Sequence, residues 1–422
     1  MTEAAHQQTP LTGNIRADRG YVGLEDYRRS GGYIGLERAL KAMEPGEVQQ
    51  AVKDSRLRGR GGAGFPTGMK WGFMPLDQAG PNYLVVNADE MEPGTFKDRL
   101  LMEGDPHQLV EGVAIAAYAV QASTAYIFVR DAYRLAAERL RQAIAEARGA
   151  GWLGDDVLSS SYRLEVHVHS SAGRYICGEE TALLNALEGR RPLPRAKPPY
   201  PQQAGLWGRP TVVNNVETIC NVPHIVRNGA DWFRGLSYTE DAGSKIYGAS
   251  GQVARPGAWE LPMGTTLREL LEVHAGGMRE GYRFRGVLPG GASTPFLVAE
   301  HLDLPMDFDH VGQAGSRLGT GALVVVDDRT SLMGLLRNLE HFFAQESCGW
   351  CTPCRDGLPW VEQLLADLEA GRGRAGDIAI LQEHCDRLGP GNTFCAHAPG
   401  AVGPLESALQ RFPEAFEQGV AG

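Results

Sequence analysis

The chain has 422 residues, 43% of them apolar, with 54 glycines and a formal net charge of −10. The acidic balance argues against nucleic-acid binding, which depends on Lys and Arg neutralising phosphates. No run of about 18 apolar residues exists to span a bilayer; the longest candidate, 112–120, is bounded by Glu111 and Gln121.

At about 100–200 residues per domain, the length predicts two to four domains. The opening M-T-E-A-A-H-Q-Q-T-P has neither a basic start nor an apolar stretch, so no signal peptide is expected. The seven cysteines are odd in number and form no disulfide framework. That points to a reducing compartment.

In chain order, residues 35–56 read as helices, with apolar positions at Leu36, Leu40, Met43, Val48 and Val52. The loop R-G-R-G-G-A-G-F-P-T-G-M-K-W follows, over 58–71. Gly59, Gly61 and Gly64 satisfy G-x-G-x-x-G, but the dinucleotide-binding reading requires a strand just before them, and here a helix precedes. The physical content survives that failure. Adjacent glycines let backbone N–H groups approach a phosphate or a flat ring, and Arg60 and Lys70 add positive charge nearby. A purely structural turn is the other reading.

Tyr83–Asn87 is an apolar strand running into the acidic loop A-D-E-M-E-P-G, which carries Asp89, Glu90 and Glu92. Ligands collect at the carboxyl ends of parallel strands. Residues 106–121 predict a buried helix, Ala125–Val129 a strand, Tyr133–Arg148 a surface helix and Leu164–His169 a strand. This alternation implies a parallel sheet covered by helices. His167 and His169 share one face of their strand and are expected to be structural.

Glu179 and Glu180, in G-R-Y-I-C-G-E-E-T-A-L, sit at a helix start, where acids also complement the helix dipole. Carboxylates beside a phosphate-cradling loop suit ribose hydroxyls or ring N–H donors better than phosphate. Residues 187–215, rich in Pro, Gly and Arg, predict an extended loop.

Composition shifts near residue 240. Lys245–Ala249, Thr265–Val273 and Leu323–Asp327 suggest strands and one helix of a small mixed domain. Beyond Thr330, four stretches with three- and four-residue apolar spacing suggest a helical bundle. The triplet Cys348, Cys351, Cys354 falls between its first two helices, and Cys395 lies just before the last.

The spacing C-x2-C-x2-C-x40-C is the most specific signal in the chain. Four thiolates hold a [4Fe–4S] cluster. Four thiolates also hold a structural zinc ion, usually as two C-x2-C pairs; a triplet with one remote cysteine is the iron–sulfur habit. Cys177, Cys220 and Cys385 are left over, and each is expected as a small buried apolar group.

Five motifs in order, R-G-R-G-G-A-G-F-P-T-G-M-K-W, N-A-D-E-M-E-P-G-T-F-K-D-R, G-R-Y-I-C-G-E-E-T-A-L, V-N-N-V-E-T and E-S-C-G-W-C-T-P-C-R, resemble the 51 kDa-type NADH-binding flavoprotein subunit of bacterial respiratory complex I, over roughly residues 20–415. The resemblance implies an α/β fold: a Rossmann-like FMN/NADH domain over 1–240, a ubiquitin-like β-grasp domain over 241–328 and a four-helix bundle with the [4Fe–4S] cluster over 329–422.

It further implies that Gly59, Gly61, Lys70, Asn87, Asp89, Gly178, Asn214 and Asn215 contact FMN, and that Phe65, Phe73, Glu92, Glu179, Glu180 and Tyr200 line the NADH site. The cluster ligands would be Cys348, Cys351, Cys354 and Cys395. The implied activity is NADH:quinone oxidoreductase, in which hydride passes from NADH to FMN and single electrons pass to the cluster. No side chain acts as nucleophile or acid–base catalyst, because cofactors carry such chemistry. The implied partners are a thioredoxin-like [2Fe–2S] subunit and a large iron–sulfur subunit, which reach quinone only as the whole complex. The implied location is peripheral, on the cytoplasmic side of the bacterial inner membrane.

Two other readings stand beside this one. Diaphorase subunits of NAD-dependent hydrogenases and formate dehydrogenases share these motifs, often with fused ferredoxin or thioredoxin-like segments not seen here. A cluster-bearing scaffold without flavin is the non-enzymatic alternative, and the intact glycine and Asn-Asn motifs speak against it.

Overall fold

Four short apolar strands, Asn82–Ala88 (β1), Ala122–Val129 (β2), Glu165–Ser170 (β3) and Thr211–Asn215 (β4), lie parallel in the order β3-β2-β1-β4. The structure is a computed structural model and describes residues 8–75 and 80–421. The expectation of no leader falls partly on residues 1–7, outside those described. No described helix is long and apolar enough to cross a membrane.

Register places Asn87 of β1 opposite Asn215 of β4, so both asparagines stand at the carboxyl edge of the sheet. β4 corrects the sequence reading, which gave 187–215 to loop. The segment Thr211–Asn215 is short and follows Pro210, so no alternation reveals it, yet β1 pairs with it along its whole length.

Helix Pro106–Ala119 is buried on nearly every side, as its Ala- and Val-rich sequence requires. It packs against helix Val216–Asn228 so closely that a Cβ on Gly112 would meet the Ile219 carbonyl at 2.3 Å. Helix Arg134–Gly149 buries a helical stripe, Ala136, Leu140, Ala143 and Ala147, and turns its charged residues to solvent.

A second sheet has the order β6-β5-β8-β7, from Ser244–Gly251 (β5), Gly257–Pro262 (β6), Phe284–Leu288 (β7) and Ala322–Asp327 (β8). β5 runs parallel to β8, and the two outer pairs are antiparallel. Four longer helices follow, Leu332–Glu346, Thr352–Glu369, Asp377–Leu388 and His397–Arg411, closing over Leu336, Phe343, Leu358, Leu365 and Leu405. The second begins inside the cysteine motif. Cys354 therefore sits in its first turn, and only Cys348 and Cys351 precede it.

The two sheets meet through a buried ionic set. Glu217, in the first turn of Val216–Asn228, lies 2.9 Å from Lys97 and 3.0 Å from Lys245 of β5, and accepts from the Ile246 N–H at 2.9 Å. Lys97 also pairs with Asp98 at 2.7 Å. Burial pushes the Glu217 carboxyl up, but Lys245, Lys97 and Arg60 together pull it down to about 2. Burial lowers Lys245 to about 8 against the pull of Glu217, so acid and amines are all charged at neutral pH.

Removing one member of such a set strands the others as unpaired buried charges. Glu217→Gln is expected to lower stability by about 3–5 kcal/mol, read as a fall in the urea midpoint. The folded-state value lies below the unfolded one, about 4.3. The stabilisation is thus complete above that pH and fades as pH falls toward 2, so the gap between parent and variant should narrow across that window. An unchanged midpoint at pH 7 would remove Glu217 from its structural role.

Candidate functional site

The carboxyl ends of β1 and β4 open into one long cavity of about 1240 Å³. Its floor is the glycine loop. Gly59 N–H donates to the Phe65 carbonyl at 2.9 Å, folding the loop back on itself, and the Arg60 N–H donates to Thr218 Oγ1 at 2.8 Å. A Cβ on Gly61 would stand 3.0 Å from Asn215 Cβ. Gly64 has a φ of +65°, and a Cβ there would strike the Phe308 ring at 2.6 Å. The loop needs glycine at 64 to lie this close to its neighbour, and a side chain at 61 would crowd Asn215.

Helix Val216–Asn228 begins at the same place, capped by Asn215, whose Oδ1 accepts from the Glu217 N–H at 3.0 Å. A glycine loop facing a helix N-terminus makes a cradle for an anionic group. Lys97, 3.3 Å from Asn215 Oδ1, adds a cation to that wall. Arg60 corrects the sequence reading. Its guanidinium is fully buried and donates to the carbonyls of Ala242 and Ser244, so it anchors the loop to the second sheet rather than charging the cavity.

Asn87 reaches toward the Cys177 and Gly178 carbonyls at 3.4 Å. Asp89 is buried at the cavity wall, its Oδ1 accepting from Ser171 Oγ at 2.9 Å, while Oδ2 has no partner among the described residues. Burial lifts its carboxyl to about 6. An orphaned acceptor at this depth fits the hydroxyls of a bound polyol chain such as that of FMN. Glu90, next in sequence, turns inward to the backbone N–H groups of Asp98 and Arg99 and to the Tyr133 hydroxyl; burial and Asp98 raise it to about 7.

Glu92 accepts from Tyr175 Oη at 2.6 Å and from the Ser293 N–H at 2.7 Å, and burial raises its carboxyl. Glu179 is the helix cap: its Oε2 accepts from the N–H groups of Thr181 and Ala182, both at 2.9 Å. Glu180 is free of that duty and instead pairs with Lys70 at 2.7 Å and Lys197 at 3.1 Å. Burial raises Glu180, and the two lysines bring it below its ordinary value.

Phe65, Phe73 and Tyr200 lie 47%, 56% and 52% exposed on the cavity wall, an aromatic set open to a planar ring. Gly178 and Asn214 also line the wall, and Asn214 Oδ1 accepts from the Trp71 indole at 2.9 Å. Every flavin and nucleotide position expected from the sequence thus borders this cavity. His167 and His169 do not; they stack on Tyr126 and Phe128 at 5.3 Å, as structural residues do.

Cys348, Cys351, Cys354 and Cys395 surround one small neighbouring cavity. Cys395 and His397 belong to the walls of both cavities. Among the described residues no three His, Cys, Asp or Glu side chains converge as ligands of a single metal ion. Four thiols lining one small cavity suit the four-cysteine ligation of a [4Fe–4S] cluster. Burial pushes Cys354 up to about 12 and Cys395 to about 11, so their thiolate forms depend on a cationic centre. Cys177, Cys220 and Cys385 are buried and apart from this ring.

Sequence reasoning missed the part of the cavity wall built by the second sheet's domain. Ser293, Arg317, Gly319 and Thr320 line it, with Thr320 Oγ1 2.6 Å from Thr95 Oγ1. The glycine pairs flanking these residues were the available signal. Lys197, on the loop before Tyr200, was also missed.

Residues 52–224 match the model of the Nuo51 FMN-binding domain, 249–297 that of the SLBB domain, and 334–419 that of the NADH-ubiquinone oxidoreductase-F iron-sulfur binding region. The F subunits of NADH-quinone oxidoreductase in Salmonella typhimurium and in Escherichia coli are each 57% identical over 412 residues, covering 97% of this chain and 93% of theirs. The Streptomyces coelicolor F subunit is 50% identical, over 94% of this chain and 88% of its own. Among solved structures, the NAD+-reducing [NiFe]-hydrogenase in the H2-reduced state superposes with a TM-score of 0.84 at 34% identity, over 95% of this chain and 67% of the hydrogenase chain.

Proposed function

The chain belongs to the family of NADH-quinone oxidoreductase F subunits, and from that premise we propose that its long cavity holds FMN and NADH together and that its four-cysteine ring holds the [4Fe–4S] cluster. The chain is an NADH dehydrogenase subunit with FMN and one iron–sulfur cluster as cofactors. When bound, FMN accepts hydride from NADH and releases electrons singly to the cluster.

The chain's own residues bind and orient. Gly59, Gly61, Asn215 and the N-terminus of Val216–Asn228 cradle the flavin phosphate end. Asp89 accepts from its hydroxyls, while Lys70, Asn87, Gly178 and Asn214 fix the rest. Phe65, Phe73 and Tyr200 sandwich the adenine ring; Glu92, Glu179 and Glu180 take the polar edges of the nucleotide. The observation that carries this reading is that all these positions line one cavity whose lining also includes Cys395.

The domain limits we assign are 1–240, 241–328 and 329–422. In the second unit the first and last strands, β5 and β8, lie parallel at the centre of the sheet, the arrangement of a β-grasp. The four longer helices of the third unit suit a four-helix bundle, with the short helix Pro413–Glu417 added after them. The partners are the thioredoxin-like [2Fe–2S] subunit and the large iron–sulfur subunit of the complex, with the chain peripheral on the cytoplasmic face. A diaphorase role fits the hydrogenase likeness, but the relatives matched over nearly their whole length carry the quinone-reductase name.

Cys354→Ala is expected to abolish the cluster while most of the FMN stays, since the cavities share only an edge. Iron, sulfide and flavin content of anaerobically purified protein check this; zinc in place of iron, or an undiminished cluster, would refute it.

Glu180 governs nucleotide choice. NADPH carries a 2′-phosphate of nearly two negative charges. A carboxylate about 4 Å from it is repelled by roughly 4 kcal/mol per charge at an effective dielectric near 20, as an upper bound. Lys70 pairs with Glu180, and Lys197 is shared between Glu180 and Glu179. Removing Glu180 relieves the repulsion of the phosphate while Lys197 stays beside Glu179. Glu180→Ala is therefore expected to raise kcat/KM for NADPH at least tenfold, about 1.4 kcal/mol, and to lower it for NADH. Steady-state kinetics on FMN-loaded variant decide, and an unchanged NADH/NADPH ratio rejects the role.

A further inference from the structure

Ser347 follows helix Leu332–Glu346 and is fixed by it. Its backbone N–H closes the last turn on the Phe343 carbonyl at 3.1 Å, after which the chain leaves the helix at φ −54°, ψ 130°. Its side chain then stands over the first turn of the next helix, with Oγ 3.2 Å from Cys354 Sγ. The Gly349 N–H donates to the same Oγ at 3.3 Å. One lone pair of the hydroxyl is thereby engaged, and its single hydrogen remains for the sulfur.

As a thiol, Cys354 could be either donor or acceptor toward Ser347. As a cluster ligand it has lost its proton and can only accept. The hydroxyl must then donate to sulfur. Hydrogen bonds to cluster sulfurs are among the determinants of reduction potential, because they stabilise the more negative, reduced state. Among the described residues, none of the other three cysteine sulfurs has a side-chain hydroxyl donor; Cys395 has the His397 backbone N–H, and the Thr393 hydroxyl donates to its carbonyl rather than its sulfur.

We infer that Ser347 is a positioning residue for electron transfer: its hydroxyl donates to Cys354 Sγ and holds the reduction potential of the cluster above the value the cysteines alone would give. The inference rests on the proposed ligation by Cys348, Cys351, Cys354 and Cys395. With flavin and cluster walls meeting at Cys395, a higher cluster potential makes the transfer from flavin more downhill.

The test is a redox titration of the full chain carrying FMN and cluster, following the cluster by low-temperature EPR and the flavin by absorbance. In Ser347→Ala the reduction equilibrium of the cluster at fixed potential is expected to fall about three- to tenfold, tenfold being 59 mV for one electron. Ser347→Thr, which keeps a hydroxyl, titrates with the parent, and the flavin potential stays put in both. A cluster in Ser347→Ala that titrates with the parent overturns the inference, and so does a Thr variant that shifts as far as Ala. Should Ser347→Ala lose its cluster, Ser347→Gly is titrated in its place; loss in both, with retention in Thr, assigns Ser347 to cluster assembly and overturns the tuning role. A parent protein devoid of iron would defeat the ligation reading itself, an outcome separate from a cluster that is present and unshifted.

Discussion

One buried carboxylate ties the molecule together. Glu217 opens the helix that follows β4 and draws Lys97 from the first unit and Lys245 from the second into a single ion set. A buried acid is tolerable only with such partners, and their convergence fixes three things at once. The helix N-terminus faces the glycine loop, Lys97 stands at the cradle wall, and β5 is held against the first unit. Arg60 adds a fourth tie from the loop itself to the carbonyls of Ala242 and Ser244. The long cavity exists because two units are clamped around it.

The same clamping explains the division of labour among the acids. Glu90 and Glu217 are spent on structure, one on backbone N–H groups of a neighbouring helix and one on lysines. Glu179 caps a helix. Asp89, Glu92 and Glu180 keep atoms or faces toward the cavity, and their environments differ. Asp89 is raised by burial, Glu92 is raised by burial yet held by Tyr175, and Glu180 is lowered by two lysines. A cluster of carboxylates that looks uniform in sequence thus divides between ligand-facing and structural groups, with Glu179 capping its helix and lining the cavity as well.

Much of this was legible in the chain. The cysteine spacing picked out four residues that line one cavity, and strands β1, β2 and β3 were readable from apolar runs and alternation. The failure of the G-x-G-x-x-G context test was also sound, since helix Pro45–Asp54 does precede the loop. What escaped was non-local. β4 is five residues without a pattern of its own, and only its pairing with β1 makes it a strand. Arg60 looked like positive charge beside the cradle because nothing in R-G-R-G-G says which way a side chain threads. Ser293, Arg317 and Thr320 lie more than 220 residues from the glycine loop and join the site only through the packing of the two sheets.

Cys395 lines both the long cavity and the small cavity ringed by the four cysteines, so the proposed flavin and cluster positions share a wall and form a single continuous site. The most direct test is rapid anaerobic mixing of the FMN- and cluster-loaded chain with NADH, reading flavin absorbance and freeze-quenched EPR on the same samples. A continuous site predicts bleaching of the flavin followed by appearance of the reduced-cluster signal without any added subunit. A flavin that bleaches while the cluster stays oxidised, or that does not bleach at all, would contradict it.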